Sequence, residues 1–395
     1  MGYRFTRTEM EGGMKMHRKW SGAKRAAAVI LGLGLLLAGA VRAEEPAYSC
    51  WRYQEDFEWL NIDAEVSGCE GGAEIGVLHG TLAPFTVEEE ERILDILCPL
   101  LYPDMARDEL VMISQRDGTV YDNATWTVER LYAKADWQVE DPAYITFSDG
   151  TICAKNQQFP PYEAVTLIST AAIDPQLFTR VMGDLPFASK AEIGETGASL
   201  LKAVGIRTEE TPALTIVYSG DQALISAGEA LPYREFVLDD GVDRMAPYRE
   251  QVYDYGADLY ILYFGQILEG IPTSVSAKYF GTADYFSQLP DIQLMYNQGG
   301  LIYFRAVNLF TLVGTDDVKR IVGVEEAAQT AAGYLDGIIL SEALQCSKIR
   351  LEYYALPYPD GKLGVDAKLS PMWTFYFSDA SAPIVVDAVA NEVMW

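Results

Sequence analysis

Apolar and polar side chains alternate along most of this chain, and the alternation predicts β-strands. It is plainest at 57–66 and at 347–358. The second of these strands has two unlike faces, with Ile349, Leu351 and Tyr353 on one and Lys348, Arg350 and Glu352 on the other. The same reasoning predicts strands at 125–138, 143–156, 213–219, 258–280 (as two strands), 299–314, 368–378 and 383–393.

A helical period replaces the alternation in three segments, 86–101, 189–206 and 324–340. The first two carry the start signal of a capping box, which is a Ser or Thr followed three residues later by Glu. Thr86 with Glu89 and Ser189 with Glu192 fit this pattern. Gly205 suits the end of the second helix, because glycine adopts the left-handed conformation at a helix C-terminus without strain.

Three turns are predicted from residue types that tolerate special backbone conformations. Glu269-Gly270 joins two strands, and Pro272 just beyond predicts an edge position, because proline cannot donate to a strand ladder. Residues 148–151 form a tight turn. Asn391 is expected in the left-handed region, so that the chain doubles back and Trp395 can lie against a strand and a helix.

These elements predict an α+β fold in which antiparallel sheets are each covered by one or two helices. We divide the chain into a signal peptide at 1–43, an N-terminal α+β domain at 44–158, a strand-rich middle region with one helix at 159–298, and a C-terminal β-α-β-β-β unit at 299–395. The best linker is 159–164, where two prolines separate periodic segments.

The N-terminus has the pattern of a secretory signal peptide. A basic stretch at 14–25 precedes an uncharged apolar run at 26–40, and Val-Arg-Ala at 41–43 forms a cleavage site. The alternative, a membrane anchor, is disfavoured because a span needs about 20 apolar residues. We expect cleavage after Ala43, a secreted or extracytoplasmic location in the cell envelope, and no stable membrane span after signal removal.

The remaining chain is strongly acidic. Removing 1–43 leaves 22 Lys and Arg against 55 Asp and Glu, a net charge of −33. Such a charge argues against nucleic-acid binding and against a grip on anionic lipid, whereas cationic partners and divalent ions remain compatible. A solvated acidic surface is the simpler explanation of the excess.

Five cysteines are present, and an exported chain can form disulfides. Cys50 and Cys69 flank a predicted strand and are the local candidates for a disulfide. Their spacing does not match a zinc site, and His79 is the one histidine after the signal peptide. We therefore expect no metal and no other cofactor.

Several stretches, in this order, resemble an uncharacterised family of exported proteins and lipoproteins from Gram-positive gut bacteria: NIDAEV, ASLLKAVGI, LEGIPTSV, NQGGLIYFRAVNLFTLVG, KIRLEYYALPY, LSPMWTFYF and VVDAVANEV. The C-terminal unit is similar to PepSY-type domains and to exported accessory regulators of a cell-wall sensor kinase. The Gly-Ile-Pro hairpin is similar to pro-segments of secreted metalloproteases. The resemblance implies binding or inhibition outside the membrane. The chain departs from it at Asn391, where Gly is usual, and in lacking a lipid-acceptor Cys.

Motifs for catalysis are scarce. His79 is the one base available for a nucleophilic triad, and no Gly-x-Ser-x-Gly accompanies it. Carboxylates are abundant, so a glycosidase with two catalytic carboxylates remains an alternative. Asp239, Asp240 and Asp243 could supply calcium ligands, but a solvated acidic turn explains the cluster better.

Aromatic side chains cluster in the last unit and offer a platform for a sugar, or else part of a core. They are Tyr353, Tyr354, Tyr358, Trp373 and Tyr376. Core packing is the simpler explanation, and Tyr354, Tyr358 and Trp373 remain the binding candidates. We expect a non-catalytic binding or regulatory protein that contacts an envelope protein or peptide. The alternatives are a glycan hydrolase and a glycan-binding module.

Overall fold

A computed structural model describes residues 48–116, 120–121, 124–125, 129–136, 143–156, 184–217, 258–275, 290–357, 366–378 and 383–394. Several predicted features lie outside these residues. They are the signal peptide at 1–43, the linker at 159–164, the acidic turn with Asp239, Asp240 and Asp243, and the residues Tyr358 and Trp395. None of the helices in the described part is long and apolar enough to cross a membrane.

The described part of the chain contains many strands and few helices. The strands are β1 Ser49–Asp56, β2 Leu60–Gly68, β3 Glu74–Leu82, β4 Leu110–Arg116, β5 Val120–Tyr121, β6 Ala124–Thr125, β7 Glu129–Lys134, β8 Tyr144–Ser148, β9 Thr151–Lys155, β10 Ala213–Val217, β11 Leu259–Phe264, β12 Ile267–Leu268, β13 Ile271–Pro272, β14 Asp291–Asn297, β15 Gly300–Val307, β16 Phe310–Arg320, β17 Leu344–Pro357, β18 Asp366–Phe377 and β19 Ile384–Asp387. The α-helices are α1 Val87–Leu101, α2 Lys190–Ala203 and α3 Val324–Leu335. The α+β class is therefore confirmed.

Two large sheets organise these strands. Sheet A has the spatial order β1, β2, β17, β18, β3, β16, and β19 pairs with β18 beside β3. Sheet B has the order β10, β11, β14, β15, β9, β8, β7, β4. All neighbours are antiparallel except β2 and β17, which run parallel. Two-stranded pairs, β5 with β6 and β12 with β13, complete the described strands.

The sheets do not follow the predicted domain boundaries. The first three strands, from the predicted domain 44–158, pair with strands from 299–395 to build sheet A. Strand β3 lies between β18 and β16, so the predicted C-terminal unit is not a sheet of its own. Strand pairing between distant segments leaves no local mark in the sequence, and the division by linear segments was wrong for that reason.

The predicted single strand at 299–314 is two strands in different sheets. Asn308 has a φ of 58°, which breaks the extended backbone between β15 of sheet B and β16 of sheet A. The backbone N–H of Leu309 donates to the carbonyl of Gly150 at 2.8 Å and holds this crossover against the β8–β9 turn. The crossover brings the two sheets together at residues 307–310.

Each sheet buries one apolar face under helices. In α3, Ala327, Ala328, Ala331 and Ala332 form the buried stripe against the sheet A core, and their small side chains allow close approach of the helix. The core of sheet B is covered by α1 and α2. Both of these helices begin with the predicted capping boxes. Gly205 follows α2 with a φ of 90°, as predicted.

The predicted turn at the C-terminus is confirmed. Asn391 has a φ of 56°, and the chain doubles back so that the N–H of Met394 donates to the carbonyl of Val385 at 2.8 Å. The side chain of Asn391 also accepts a hydrogen bond from Thr330 Oγ1 of α3 at 2.9 Å. The last turn is therefore tied to the helix that covers sheet A.

Substitutions at Asn391 test this conformation. An Asn391→Gly variant removes both the left-handed strain and the bond to Thr330, whereas Asn391→Ala loses the bond and gains strain. We expect the alanine variant to be less stable than the glycine variant by about 1 kcal/mol. Chemical denaturation measures the difference, and equal stabilities would show that the left-handed backbone is not retained in solution.

Candidate functional site

A cleft of about 330 Å³ lies where elements of both sheets meet. Its walls are the N-terminal half of α1, the segment that follows α2, the turn of the β12–β13 hairpin and the beginning of β16. We call it the inter-sheet cleft. Its volume is at the lower end of the range found for ligand sites in proteins.

Apolar side chains form the floor of the inter-sheet cleft. They are Ile93, Ile206, Leu268, Leu309 and Phe310, and all are buried. They come from four separate segments, which the crossover at 307–310 brings together. The floor therefore exists only in the folded chain, and its side chains expose only a small part of their surface.

The side-chain amide of Gln266 closes one wall of the cleft by making two hydrogen bonds of the kind that a neighbouring strand would make. Gln266 Nε2 donates to the carbonyl of Phe310 at 2.9 Å, and the N–H of Phe310 donates to Gln266 Oε1 at 3.0 Å. Both main-chain groups of Phe310 therefore point away from β3, toward the segment that follows β11. This pair links β16 of sheet A to the chain that leaves sheet B.

Removing the Gln266 amide should weaken this link. A Gln266→Leu variant leaves the half-buried N–H and carbonyl of Phe310 without their partners. We expect a loss of about 1–3 kcal/mol in the free energy of unfolding. Thermal and urea unfolding measure it. Wild-type stability of the leucine variant would contradict the role of the pair.

Charged side chains of both signs stand on the rim of the cleft. Glu89 is fixed by its capping box, since its Oε2 accepts from Thr86 N at 2.9 Å. Arg92 Nη2 donates to the carbonyl of Val204 at 3.3 Å, the only hydrogen bond of its guanidinium within the described residues. Glycine is favoured next to Val204 because Gly205 has a φ of 90°, and a Cβ there would lie 2.7 Å from this nitrogen, which would have to move. The rim also includes Arg207 and Glu269.

A second polar cluster, the arginine cluster, lies on β17 and consists of Arg350, Glu209, Glu352, Tyr376 and Tyr48. The guanidinium of Arg350 pairs with the carboxylate of Glu209 and lies 3.4 Å from Glu352 Oε1. Tyr376 OH donates to Glu352 Oε2 at 2.8 Å, and Tyr48 OH donates to the carbonyl of Leu351 at 3.2 Å. One arginine thus holds two carboxylates from segments that are far apart in sequence.

Burial and charge compete in the arginine cluster. Burial raises the pKa of Glu209 above its ordinary value, and the positive charge of Arg350 only partly offsets this. Burial acts to lower the pKa of Arg350, but the carboxylates of Glu352 and Glu209 outweigh it and hold that pKa above its ordinary value. The guanidinium therefore stays charged, and the cluster is an ion network that joins the segment after α2 to sheet A.

The aromatic binding candidates are core residues. Trp373 is 0 % exposed and its Nε1 donates to the carbonyl of Val322 at 3.0 Å. Tyr354 is also buried, with its OH 3.0 Å from Thr374 Oγ1. The binding prediction is wrong for these two, because both faces of β17 and β18 are covered at this point. The packing alternative holds for them and for Tyr353, whose OH donates to the carbonyl of Gly76.

The predicted disulfide is not formed. Cys50 is exposed on the edge strand β1, with its Sγ 3.4 Å from Ser67 Oγ, whereas Cys69 follows β2 and packs into the core of sheet A. Burial raises the pKa of the Cys69 thiol to about 11. The other three cysteines, Cys98, Cys153 and Cys346, are not in disulfides either.

His79 lies on β3 and is half-buried. Its Nε2 is 3.8 Å from Asp366 Oδ1 at the start of β18, and its backbone is paired with Lys368 and Gly314. His79 is therefore a residue of the strand ladder. Within the residues that the structure describes, no group of three or more His, Cys, Asp or Glu side chains is placed to hold a metal ion.

The sequence alone did not identify the residues that build the inter-sheet cleft and the arginine cluster. Arg350 and Glu352 appeared as the polar face of a predicted strand, which is correct, but nothing indicated that Glu209 would cover them. Gln266 and Arg92 carried no signal of their own. The one available hint was the pair of opposite charges, Arg350 and Glu352, on the polar face of this strand.

Comparisons with known proteins bear on the fold alone. No protein-family model matches the chain, and no curated protein matches it. A crystal structure of an uncharacterized protein from Eubacterium rectale is similar, with a TM-score of 0.57 and 15 % sequence identity over 86 % of this chain and 91 % of that chain. The architecture described above therefore occurs in a second protein, at an identity too low to carry function from one to the other.

Proposed function

We propose that this chain is a non-catalytic extracytoplasmic protein that binds an envelope protein or peptide in the inter-sheet cleft and so modulates an envelope peptidase or sensor. The observation that carries the proposal is the cleft itself, with its buried apolar floor beneath a rim of Glu89, Arg92, Arg207 and Glu269. A polypeptide supplies apolar side chains for such a floor and charges of both signs for such a rim.

The order of elements at the C-terminus supports a regulatory role. Strand β16, helix α3 and strands β17, β18 and β19 follow one another along the chain in the β-α-β-β-β order of the PepSY-like unit. The resemblance to PepSY-type domains implies binding or inhibition outside the membrane. The insertion of β3 between β18 and β16 is a departure from a self-contained unit.

Affinity capture tests the proposal. The chain from residue 44 onward is immobilised and exposed to solubilised cell envelope from the bacterium that produces it, beside an Arg92→Glu, Arg207→Glu variant. We expect the wild-type chain to retain a specific protein or peptide and the variant to retain less, because two rim charges are reversed. Retention of an oligosaccharide with no protein would contradict the proposal.

The arginine cluster favours one alternative, a hydrolase that uses two carboxylates. Glu209 and Glu352 are held by a single guanidinium, and the pKa of Glu209 is raised, as that of a general acid would be. The burial of Glu352, which is 0 % exposed, speaks against contact with a substrate. Glycan or peptide hydrolysis by the purified chain that is lost in Glu209→Gln would establish the alternative.

A further inference from the structure

We propose that the ligand of the inter-sheet cleft is an extended polypeptide segment with charged side chains of both signs, which adds to the outer edge of β16 at Leu312. This inference rests on the proposed function and names its binding mode. The site is a main-chain edge, so it recognises backbone first and side chains second.

The direction of the main-chain groups on β16 follows from the Gln266 pair. In an antiparallel ladder, the residues whose N–H and carbonyl point toward the neighbouring strand alternate with residues whose groups point away. Phe310 gives both groups to Gln266 and therefore points away from β3. Its next outward-pointing neighbour is Leu312, which pairs in register with Gly80. The N–H and carbonyl of Leu312 thus face the cleft side.

Gln266 occupies only the first position of this edge. Within the described residues no strand pairs with β16 on the side opposite β3, and Leu312 lines the cleft. Thr311 and Val313 on either side of it are exposed. An incoming strand can therefore continue the pairing that the Gln266 amide begins, with a side chain directed into the apolar floor.

The charges on the rim add a second element of recognition. Arg92 makes a single hydrogen bond within the described part of the chain, to the carbonyl of Val204, and keeps its other N–H donors for a ligand. Arg207 stands on the same rim. Glu89 and Glu269 stand on the same rim, so the rim as a whole favours a segment that carries charges of both signs.

Two proline substitutions separate docking from folding. Leu312→Pro removes an N–H that points outward and should leave the ladder with β3 intact. Thr311→Pro is the matched control, because the N–H of Thr311 points toward β3 and its loss should lower the melting temperature far more. If the two variants are equally destabilised, the assignment of directions along β16 is wrong and the inference falls.

The binding probe is a random decapeptide library displayed on phage, selected on the wild-type chain from residue 44 and on its Leu312→Pro variant. We expect the wild type to enrich β-forming sequences that carry both an acidic and a basic residue. Synthetic copies should bind Leu312→Pro about tenfold more weakly, because proline lacks the main-chain N–H that donates to the peptide and keeps only the carbonyl. N-methylation of alternate peptide amides should have the same effect.

The remaining outcomes also decide the matter. The inference is overturned if the wild type enriches no peptide, or if the enriched peptides bind Leu312→Pro as tightly as the wild type. It is also overturned by a concentration-dependent dimer that Leu312→Pro abolishes, because the edge of β16 would then bind a second copy of the chain. Capture from the cell envelope distinguishes the failure of this inference from the failure of the proposed function. A partner that wild type and Leu312→Pro retain equally would refute binding at the edge of β16 but not the proposed function. If neither protein retains a partner, both are refuted.

Discussion

Replacing Trp373 by alanine is expected to lower the free energy of unfolding by about 3–5 kcal/mol, the range found for large aromatic residues removed from cores. The indole is 0 % exposed and donates a hydrogen bond to the carbonyl of Val322, so truncation leaves a cavity and an unpaired acceptor. Its ring also lies against Gly68, where an added Cβ would approach to 2.6 Å. Urea unfolding measures the loss.

Tyr334→Ala is the matched control for Trp373. Tyr334 is an aromatic residue on α3 that is 43 % exposed, and its removal should change stability by no more than about 0.5 kcal/mol. A Trp373→Ala protein that unfolds like the wild type but loses affinity for a glycan would restore the sugar-platform interpretation and refute the assignment of Trp373 to the core.

Replacing Arg350 by methionine is expected to have the second largest effect, a loss of about 3–5 kcal/mol near neutral pH. Removal of one partner from a buried ion network leaves the others as uncompensated buried charges. Here the carboxylates of Glu209 and Glu352 would both lose the guanidinium. Urea unfolding at neutral pH measures the effect.

The loss in Arg350→Met should depend on pH in a defined direction. Burial already raises the pKa of Glu209 in the folded chain, and loss of the positive charge of Arg350 raises it further. A carboxyl whose pKa is higher in the folded than in the unfolded state binds protons more tightly when folded, so stability rises as the pH falls. The variant should therefore recover part of its loss between neutral pH and about pH 4–5, near the ordinary pKa of Glu.

Neutral side chains at the two carboxylates serve as the control. Arg350→Met combined with Glu209→Gln and Glu352→Gln contains no buried charge in the cluster, and its stability deficit should not vary with pH in this window. If Arg350→Met alone shows a deficit that is small, or that grows on acidification, the ion network does not hold the segment after α2 to sheet A.

Local features of the fold could be predicted from the sequence because their causes are local. The capping boxes at Thr86 and Ser189 need only two residues in register, and a left-handed turn at Asn391 needs one tolerant residue. The alternation around Ile349 reported a real strand for the same reason. Helix α3 ends at Leu335 and not at the predicted residue 340. The apolar residues after Leu335 belong to a loop, and the hydrophobic pattern alone did not distinguish them from helical residues.

Sheet assembly and the candidate site could not be predicted, because they depend on contacts between distant segments. The parallel pairing of β2 with β17 joins residues about 280 positions apart, as in Leu60 with Leu344. The Arg350–Glu209 pair spans 141 positions, and Gln266 reaches Phe310 over 44. A pattern that is read within a short window carries no trace of such partners, and Asn308 gave no sign that it would divide one strand between two sheets.

Site-specific photo-crosslinking tests most directly whether the inter-sheet cleft is the surface through which this chain acts. A photoreactive amino acid is placed at Thr311, an exposed residue of the cleft, and at Gln329, an exposed residue of α3, as the control. Both proteins are irradiated with the cell envelope. We predict a discrete polypeptide adduct from position 311 and none from 329. Adducts from position 329 alone would contradict binding at the cleft. The absence of adducts from both positions, combined with hydrolysis of a glycan or peptide by the purified chain, would also contradict it.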